Sequence, residues 1–377
     1  MTNIAVLGAQ YGDEAKGRIT LDFSKNFDWV CRFAGGDNVG AMVYRNGKKY
    51  VHHLLPVVNY NLSPHTKSFL GNGMVINLES LLEEVKLIEN DFPGAAKKLY
   101  IDPDAFVVLP EHLQQDQNTK DSEGRNTSTN RGIAQAYTSK VARKGVRVYH
   151  YINDNAEIIQ ALCKFGVKFK NVLQLRPEFE IQNILFEGNQ GIMLDLVSGR
   201  YPYITSSDTT VSGIYSSGFH FIHLDKVYGV LKPYLTRSGG KELPTEMYGE
   251  EAEQLVSAAK EYGNTTGRAR GVGYMDLVAL KYATLRGGLT HLVLTKLDVL
   301  NGQKNHKICI SYGKEVSSPN DFFGTNPAYI NVPGWNDCKD ISQIRPLISV
   351  IEKYVGIPVE YVTTGINPGD LICLGQK

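Results

Sequence analysis

Eight short apolar runs punctuate the chain: Ile4 to Leu7, Trp29 to Phe33, Ser68 to Leu70, Lys98 to Ile101, Asn183 to Phe186, Lys226 to Leu231, His291 to Leu294 and Val359 to Val362. Several are apolar at every position instead of alternating, the pattern of strands covered on both faces, and helical stretches lie between them. Leu78 to Glu89 carries apolar residues at helical spacing with acidic residues on the other positions, which predicts an amphipathic helix. The expected fold is α/β, a largely parallel central sheet flanked by helices on both faces. No repeat or low-complexity tract marks a boundary, so residues 1–377 are read as one large domain with inserted loops around 110–135 and 235–275. The first insertion is polar and rich in Ser, Thr, Asn and Arg; it suits either a surface linker or a loop that orders on a phosphate ligand.

Composition narrows the classes. A chain of 377 residues that is 42% hydrophobic and 21% charged has ample core, and a net charge of +1 gives no support to a strongly basic nucleic-acid binder. Cys31, Cys163, Cys309, Cys338 and Cys373 lie far apart, so neither a zinc set nor a disulfide framework is legible. No charged leader precedes a long apolar stretch, and no run approaches the roughly 20 apolar residues of a membrane span. The expected location is the cytoplasm, or the host cytoplasm for a viral protein, with no nucleic-acid or membrane partner.

The chemistry starts at the end of the first run, in Gly8-Ala9-Gln10-Tyr11-Gly12-Asp13-Glu14-Ala15-Lys16-Gly17-Arg18. A buried strand entering a glycine-rich turn and a lysine is a way to cradle phosphate: glycine admits close backbone approach, helix-start N–H groups face the anion, and Lys16 adds charge. The spacing differs from the usual phosphate loop because Asp13 and Glu14 interrupt it. A carboxylate beside phosphate is costly unless it holds Mg²⁺ or moves a proton, so the loop points to catalysis. A structural turn is the competing reading.

Four later clusters add to this. Gly35-Gly36-Asp37-Asn38-Val39-Gly40 follows the second run and is either a hairpin turn or a loop at a strand's carboxyl end, where ligands bind. Gly188-Asn189-Gln190-Gly191 and Tyr201 to Thr210 offer amide and hydroxyl groups for a base or phosphate. Gly263-Asn264-Thr265-Thr266-Gly267-Arg268-Ala269-Arg270 places two arginines in one loop, suited to a dicarboxylate or a phosphate, with a solvated basic loop the competing reading. Leu294-Thr295-Lys296-Leu297-Asp298 closes a strand with a carboxylate able to accept two hydrogen bonds from guanine and a lysine stem able to cover its face.

In this order the clusters, with Gly71-Asn72-Gly73, Lys140-Val141-Ala142-Arg143, Thr236-Arg237, Pro244-Thr245-Glu246 and Thr363-Thr364-Gly365, resemble the adenylosuccinate synthetase family over nearly the whole chain. The family is P-loop-NTPase-like in fold and joins aspartate to a 6-oxopurine nucleotide with NTP hydrolysis. The resemblance implies that Asp13 is the base that removes the N1 proton, that Lys16 balances phosphoryl charge, and that Asp13 and the Gly40 carbonyl hold Mg²⁺. It implies purine-nucleotide contacts from Asn38, Ser128, Thr129, Gln190 and Thr205, with Arg143 reaching across a homodimer. Thr266, Arg268 and Arg270 would bind aspartate. Gly12, Lys16, Gly17, Gly40, Lys296, Asp298, Thr363 and Gly365 would bind the NTP, GTP or ATP.

The departures fall near those ligands. The family's Gly-Gly-His-Asn-Ala-Gly-His-Thr has Asp37 and Ala41 here in place of its histidines, the second of which assists phosphoryl transfer. Ala15 and Asn130 replace glycines, Ala269 replaces a third arginine, and Ser238 to Leu243 differs from the family's Val-Gly-Ala-Gly-Pro-Phe. Either Lys16, Mg²⁺ and backbone donors suffice, or His53 substitutes, or the reaction has changed. The default acceptor is inosinate, with guanylate or deoxyguanylate, as in viral relatives, the alternative; a nucleotide-binding sensor and a generic GTPase are the rivals from other classes.

Overall fold

The computed structural model describes residues 1–45, 47–119, 128–238, 242–263, 267–367 and 369–375. The chain forms two compact units, residues 1–6, 16–189 and 205–225 in the first and 7–15, 190–204 and 226–377 in the second.

The first unit is built on parallel strands in the order Asn3–Gly8, Ile184–Glu187, Trp29–Arg32, Lys67–Leu70, Leu99–Ile101 and Lys168–Phe169. Five of these are apolar runs read from the sequence. Trp29–Arg32 and Ile184–Glu187 are buried at every position, as the absence of alternation requires. One face packs edge-to-face aromatic pairs, Trp29 with Tyr100 and Phe179, and Phe219 with Phe69 and Phe186. The other buries Leu81, Val85 and Ile88 of the helix Leu78–Asp91, whose Asn77 cap accepts from the Ser80 amide at 3.1 Å. A hairpin, Ala41–Arg45 with Lys48–His52, sets Ala41 opposite His52. Gly35–Gly40 is therefore the loop entering this hairpin, and the hairpin's own turn lies around Gly47.

The second unit carries the other three runs as parallel strands, Lys226–Leu231, His291–Leu294 and Val359–Thr363, with Leu371–Cys373 antiparallel at the edge. A further mixed sheet, Tyr234–Arg237, Gly271–Asp276, Asn305–Ser311 and Ala328–Pro333, has one parallel and two antiparallel pairings. Sequence reading had not assigned it. Three of its strands mix buried positions with half-exposed or exposed ones, and Tyr234–Arg237, buried throughout, is half polar, so no continuous apolar run marks them. Helices Leu277–Gly287 and Ile341–Val355 bury apolar faces, the second through Ile344, Leu347, Ile348 and Ile351. The architecture is α/β with mixed parallel and antiparallel sheets flanked by helices; the apolar pattern predicts the α/β class and the parallel strands, and the antiparallel pairings are an addition to it. No described helix is long and apolar enough to cross a membrane, and all five cysteines are free thiols.

Candidate functional site

In the second unit the loop after the first strand is braced from within. Glu14 is fully buried, and its Oε1 accepts the amides of Gln10 (3.1 Å) and Gly12 (2.8 Å). The side-chain amide of Gln10 donates to the Lys232 carbonyl at 3.0 Å and accepts from the Lys232 amide at 3.1 Å. Gly191 approaches so closely that a Cβ there would stand 2.2 Å from the Gln10 carbonyl oxygen, which explains a glycine at that turn. The second acid of the loop is thus its internal brace, while Asp13 is left partly exposed.

Asp13 sits at φ 61° and Ala15 at φ 68°, left-handed conformations that side chains adopt only under constraint. Asp13 Oδ2 accepts from the Ser238 hydroxyl at 3.2 Å and lies 2.9 Å from Arg270 Nε. That contact is an ion pair without hydrogen-bond alignment, for Arg270 Nε has no bonded acceptor. Arg270 Nη1 donates at 2.6 Å to the fully buried Glu261. The same carboxylate accepts from Lys296 Nζ (2.6 Å), Lys232 Nζ (3.0 Å) and the Tyr234 hydroxyl (2.9 Å). Burial opposes ionisation of Glu261, but Lys232, Lys296 and Arg270 outweigh it and hold its carboxyl well below the usual range. Burial pulls Lys232 down to about 8 against the attraction of Glu261.

Lys296 lies at φ 55°, its amide donating to the Thr363 hydroxyl at 3.1 Å. Asp298 is half-buried and its pKa is raised by burial, opposed by Lys296. The Asp370 carboxylate accepts the Asn367 amide at 2.7 Å, and the Thr364 amide donates to the Asp370 carbonyl at 2.9 Å, so Asp370 shapes the turn that carries Gly365. Of the sequence-derived positions, the structure joins Asp13 to Arg270, Arg270 to Lys296 through Glu261, and Lys296 to Thr363. Arg268 is exposed, Gln190 is at φ 43° with both polar side-chain atoms buried and unbonded, and Thr266 lies outside the described residues.

In the first unit Lys16 and Gly17 open the helix Lys16–Ser24, which fits the expected helix-start phosphate cradle. Gly35, at φ 82°, faces the Asn189 amide 2.2 Å from where its Cβ would be, and its N–H donates to the Tyr137 hydroxyl at 2.8 Å. Asn38 is half-buried with an unbonded Oδ1. Asp37 is buried; Ser80 donates to its Oδ2 at 3.1 Å, Arg131 Nη1 stands 3.8 Å away, and Oδ1 has no partner. Burial raises its pKa against the pull of Arg131.

Ser128 donates to Asp116 Oδ2 at 2.8 Å, which also accepts the Gly132 amide at 2.8 Å, so Asp116 anchors the segment of Ser128 and the exposed Thr129. Thr205 is half-buried. Arg143 is exposed at φ 62°, just beyond the helix Ile133–Val141 and near the outward-facing Val141.

His53, next to the residue opposite Ala41, has Nδ1 2.5 Å from the Val39 carbonyl, while burial lowers its pKa. A neutral ring donating from Nδ1 leaves Nε2 as an acceptor, the wrong polarity to replace a histidine that donates to phosphate. His53 in this arrangement braces the loop.

Mg²⁺ favours one or two hard carboxylates completed by substrate phosphates. No group of three or more metal-ligating side chains gathers among the described residues, and the partly exposed Asp13 on a glycine-rich loop fits a site of one carboxylate completed by phosphates.

The sequence pattern does not single out Glu261, Lys232, Asp116 or Asp370. Lys232 carried the one available signal, a lysine ending the apolar run Val230-Leu231, which requires a buried counter-charge.

Comparison with known proteins agrees with these motifs. The family model for adenylosuccinate synthetase matches residues 5–182 and 155–372. Adenylosuccinate synthetase of Petrotoga mobilis is 40% identical over 97% of this chain and 96% of its own length. The fully ligated adenylosuccinate synthetase of Plasmodium falciparum superposes with a TM-score of 0.86 at 31% identity, covering 99% of each chain. The succinoaminodeoxyadenylate synthetase of cyanophage S-2L, bound to dGMP and dATP, gives 0.72 at 19% identity over 100% of this chain and 96% of its own, a likeness of fold.

Proposed function

The chain belongs to the adenylosuccinate synthetase family, and from that premise we propose that it joins L-aspartate to carbon 6 of inosinate, with GTP as phosphoryl donor and adenylosuccinate as product. The observation that carries this reading is Asp13, a partly exposed carboxylate on a constrained glycine-rich loop with Arg270 at 2.9 Å. Asp13 takes the N1 proton, so that the 6-oxygen attacks the γ-phosphate and GDP leaves. Lys16 and the amides opening its helix balance charge on the transferred group. The aspartate amine then attacks carbon 6 and phosphate departs with the former 6-oxygen. Arg268 and Arg270 hold aspartate's carboxylates, with Thr266 in the same loop. Asn38, Ser128, Thr129, Gln190 and Thr205 bind the purine nucleotide, and Gly12, Gly17, Lys296, Asp298, Thr363 and Gly365 frame the GTP. Asp13 and the Gly40 carbonyl would hold Mg²⁺, which supplies charge neutralisation for the phosphates. Arg143, on an exposed turn, serves the nucleotide phosphate of the partner in a cytoplasmic homodimer.

Inosinate labelled with ¹⁸O at position 6 tests the route: the label should appear in the released phosphate in the presence of aspartate. Label retained in the purine would contradict it.

Asp37 favours a second reading, guanylate or deoxyguanylate as acceptor. Its buried, unbonded Oδ1 is an acceptor that a purine 2-amino group would satisfy, and hypoxanthine lacks that group. Competition between inosinate and the two guanylates for turnover decides, and Asp37→Ala, which removes the acceptor, should lower any guanylate preference.

A further inference from the structure

We propose that Glu261 is a positioning residue that holds the aspartate-binding Arg270 and the nucleotide-facing Lys296 on one buried carboxylate, linking the two ligand sites. The inference rests on the roles assigned to Arg270 and Lys296 above. Glu261 is itself fully buried, whereas the Arg270 and Lys296 side chains that it holds keep partly accessible ends. Its Oε2 takes Arg270 Nη1 at 2.6 Å, and its Oε1 takes Lys296 Nζ at 2.6 Å, Lys232 Nζ at 3.0 Å and the Tyr234 hydroxyl at 2.9 Å.

Backbone geometry makes the connection stiff. The Arg270 amide donates to the Glu261 carbonyl at 2.9 Å, so the two residues are tied by main chain as well as side chain at the neck of the arginine loop. Inside the neck, Tyr262 bridges Ala269 and the Gly263 amide donates to the Arg268 carbonyl at 2.8 Å. Lys296 is fixed in turn by its left-handed backbone and its amide bond to Thr363. Three cations meet one buried carboxylate, with Asp13 beside the outermost. Without Glu261, Arg270, Lys296 and the buried Lys232 would repel one another, and each would lose the acceptor that sets its direction. Lys232 is too deeply buried to reach a ligand; its place is to neutralise Glu261 from the inside, with a second bond at 2.5 Å to Thr236 Oγ1.

The test compares the wild type with Glu261→Gln, and with Glu261→Gln combined with Lys232→Met, which removes the cation that the single variant leaves buried and unpaired. Turnover with GTP, aspartate and inosinate is measured with calorimetric binding of GTP and of aspartate. We expect the KM and Kd for both aspartate and GTP to rise about tenfold or more in both variants, with the inosinate KM within about twofold and kcat reduced less than the affinities. The double variant should recover thermal stability without recovering either affinity. Unchanged aspartate and GTP affinities in folded variants would overturn the proposal, as would an equal loss across all three substrates and kcat. A wild type that binds GTP and aspartate but forms no product with any 6-oxopurine nucleotide would count against the functional reading alone.

Discussion

Asp13 and Ala15 show what a single position in this loop is made to do. Asp13→Asn keeps shape and hydrogen-bonding capacity but removes the proton acceptor, and should lower kcat by about 10²- to 10⁴-fold while nucleotide affinity, read by calorimetry, stays near wild type. An unchanged kcat would refute its role as base. Ala15 holds φ 68° with a Cβ, a conformation that costs an L-residue about 1 kcal/mol, so Ala15→Gly should stabilise the protein by about that amount in denaturant titration. Asp13, Ala15, Asn130, Arg143, Gln190 and Lys296 are all non-glycine residues with positive φ, and all six belong to motifs read from the sequence. Their residue types were legible, whereas their backbone constraint was not, since nothing in a one-dimensional pattern reports φ at a residue other than glycine. Glu261 was illegible for a related reason: its importance lies in three cations brought to it from distant positions.

Among the elements, the helix Leu78–Asp91 does more than pack. Its Glu84 accepts the amides of His53 (3.0 Å), Leu54 (2.8 Å) and Leu55 (3.1 Å), and burial pushes its carboxyl from 4.5 up to about 7 in spite of those bonds. In the unfolded chain it titrates near its ordinary value, so between about pH 4.5 and 7 the unfolded state loses the proton first. The Glu84 contribution to stability should therefore decline as pH rises through that window, and Glu84→Gln should flatten this part of the stability profile. Glu261 has the opposite sign. Its carboxyl is depressed by the surrounding cations, so its contribution is present above about 4.5 and is lost as pH falls through its folded value. For the arginine loop, Arg270→Leu should raise the aspartate KM by about 10- to 100-fold, the worth of a charge-assisted contact, and an effect confined to GTP would show the loop misassigned. The elements legible in advance were the eight buried strands and this helix, where burial on every face or on one helical stripe writes itself into the apolar pattern. The mixed sheet was not, because half-exposed or exposed positions in three of its strands, and the buried Thr236 and Arg237 of the fourth, dilute that pattern.

At the scale of the whole molecule, the matches cover nearly all of this chain and of its relatives. A homodimer with Arg143 acting on the partner's nucleotide predicts that Arg143→Leu and Asp13→Asn, each inactive alone, regain part of the wild-type rate when mixed, because a hybrid dimer has one site with both defects and one with neither. Continued inactivity of a mixture shown to exchange subunits would place Arg143 in its own subunit's site. The central claim, that this chain is a ligase and not a GTPase or a nucleotide sensor, is tested most directly by following phosphate release and adenylosuccinate formation together in Mg²⁺, GTP and inosinate, with and without aspartate. The account predicts one phosphate per adenylosuccinate, both dependent on aspartate. Phosphate release without aspartate, or no product with inosinate, guanylate or deoxyguanylate, would contradict it.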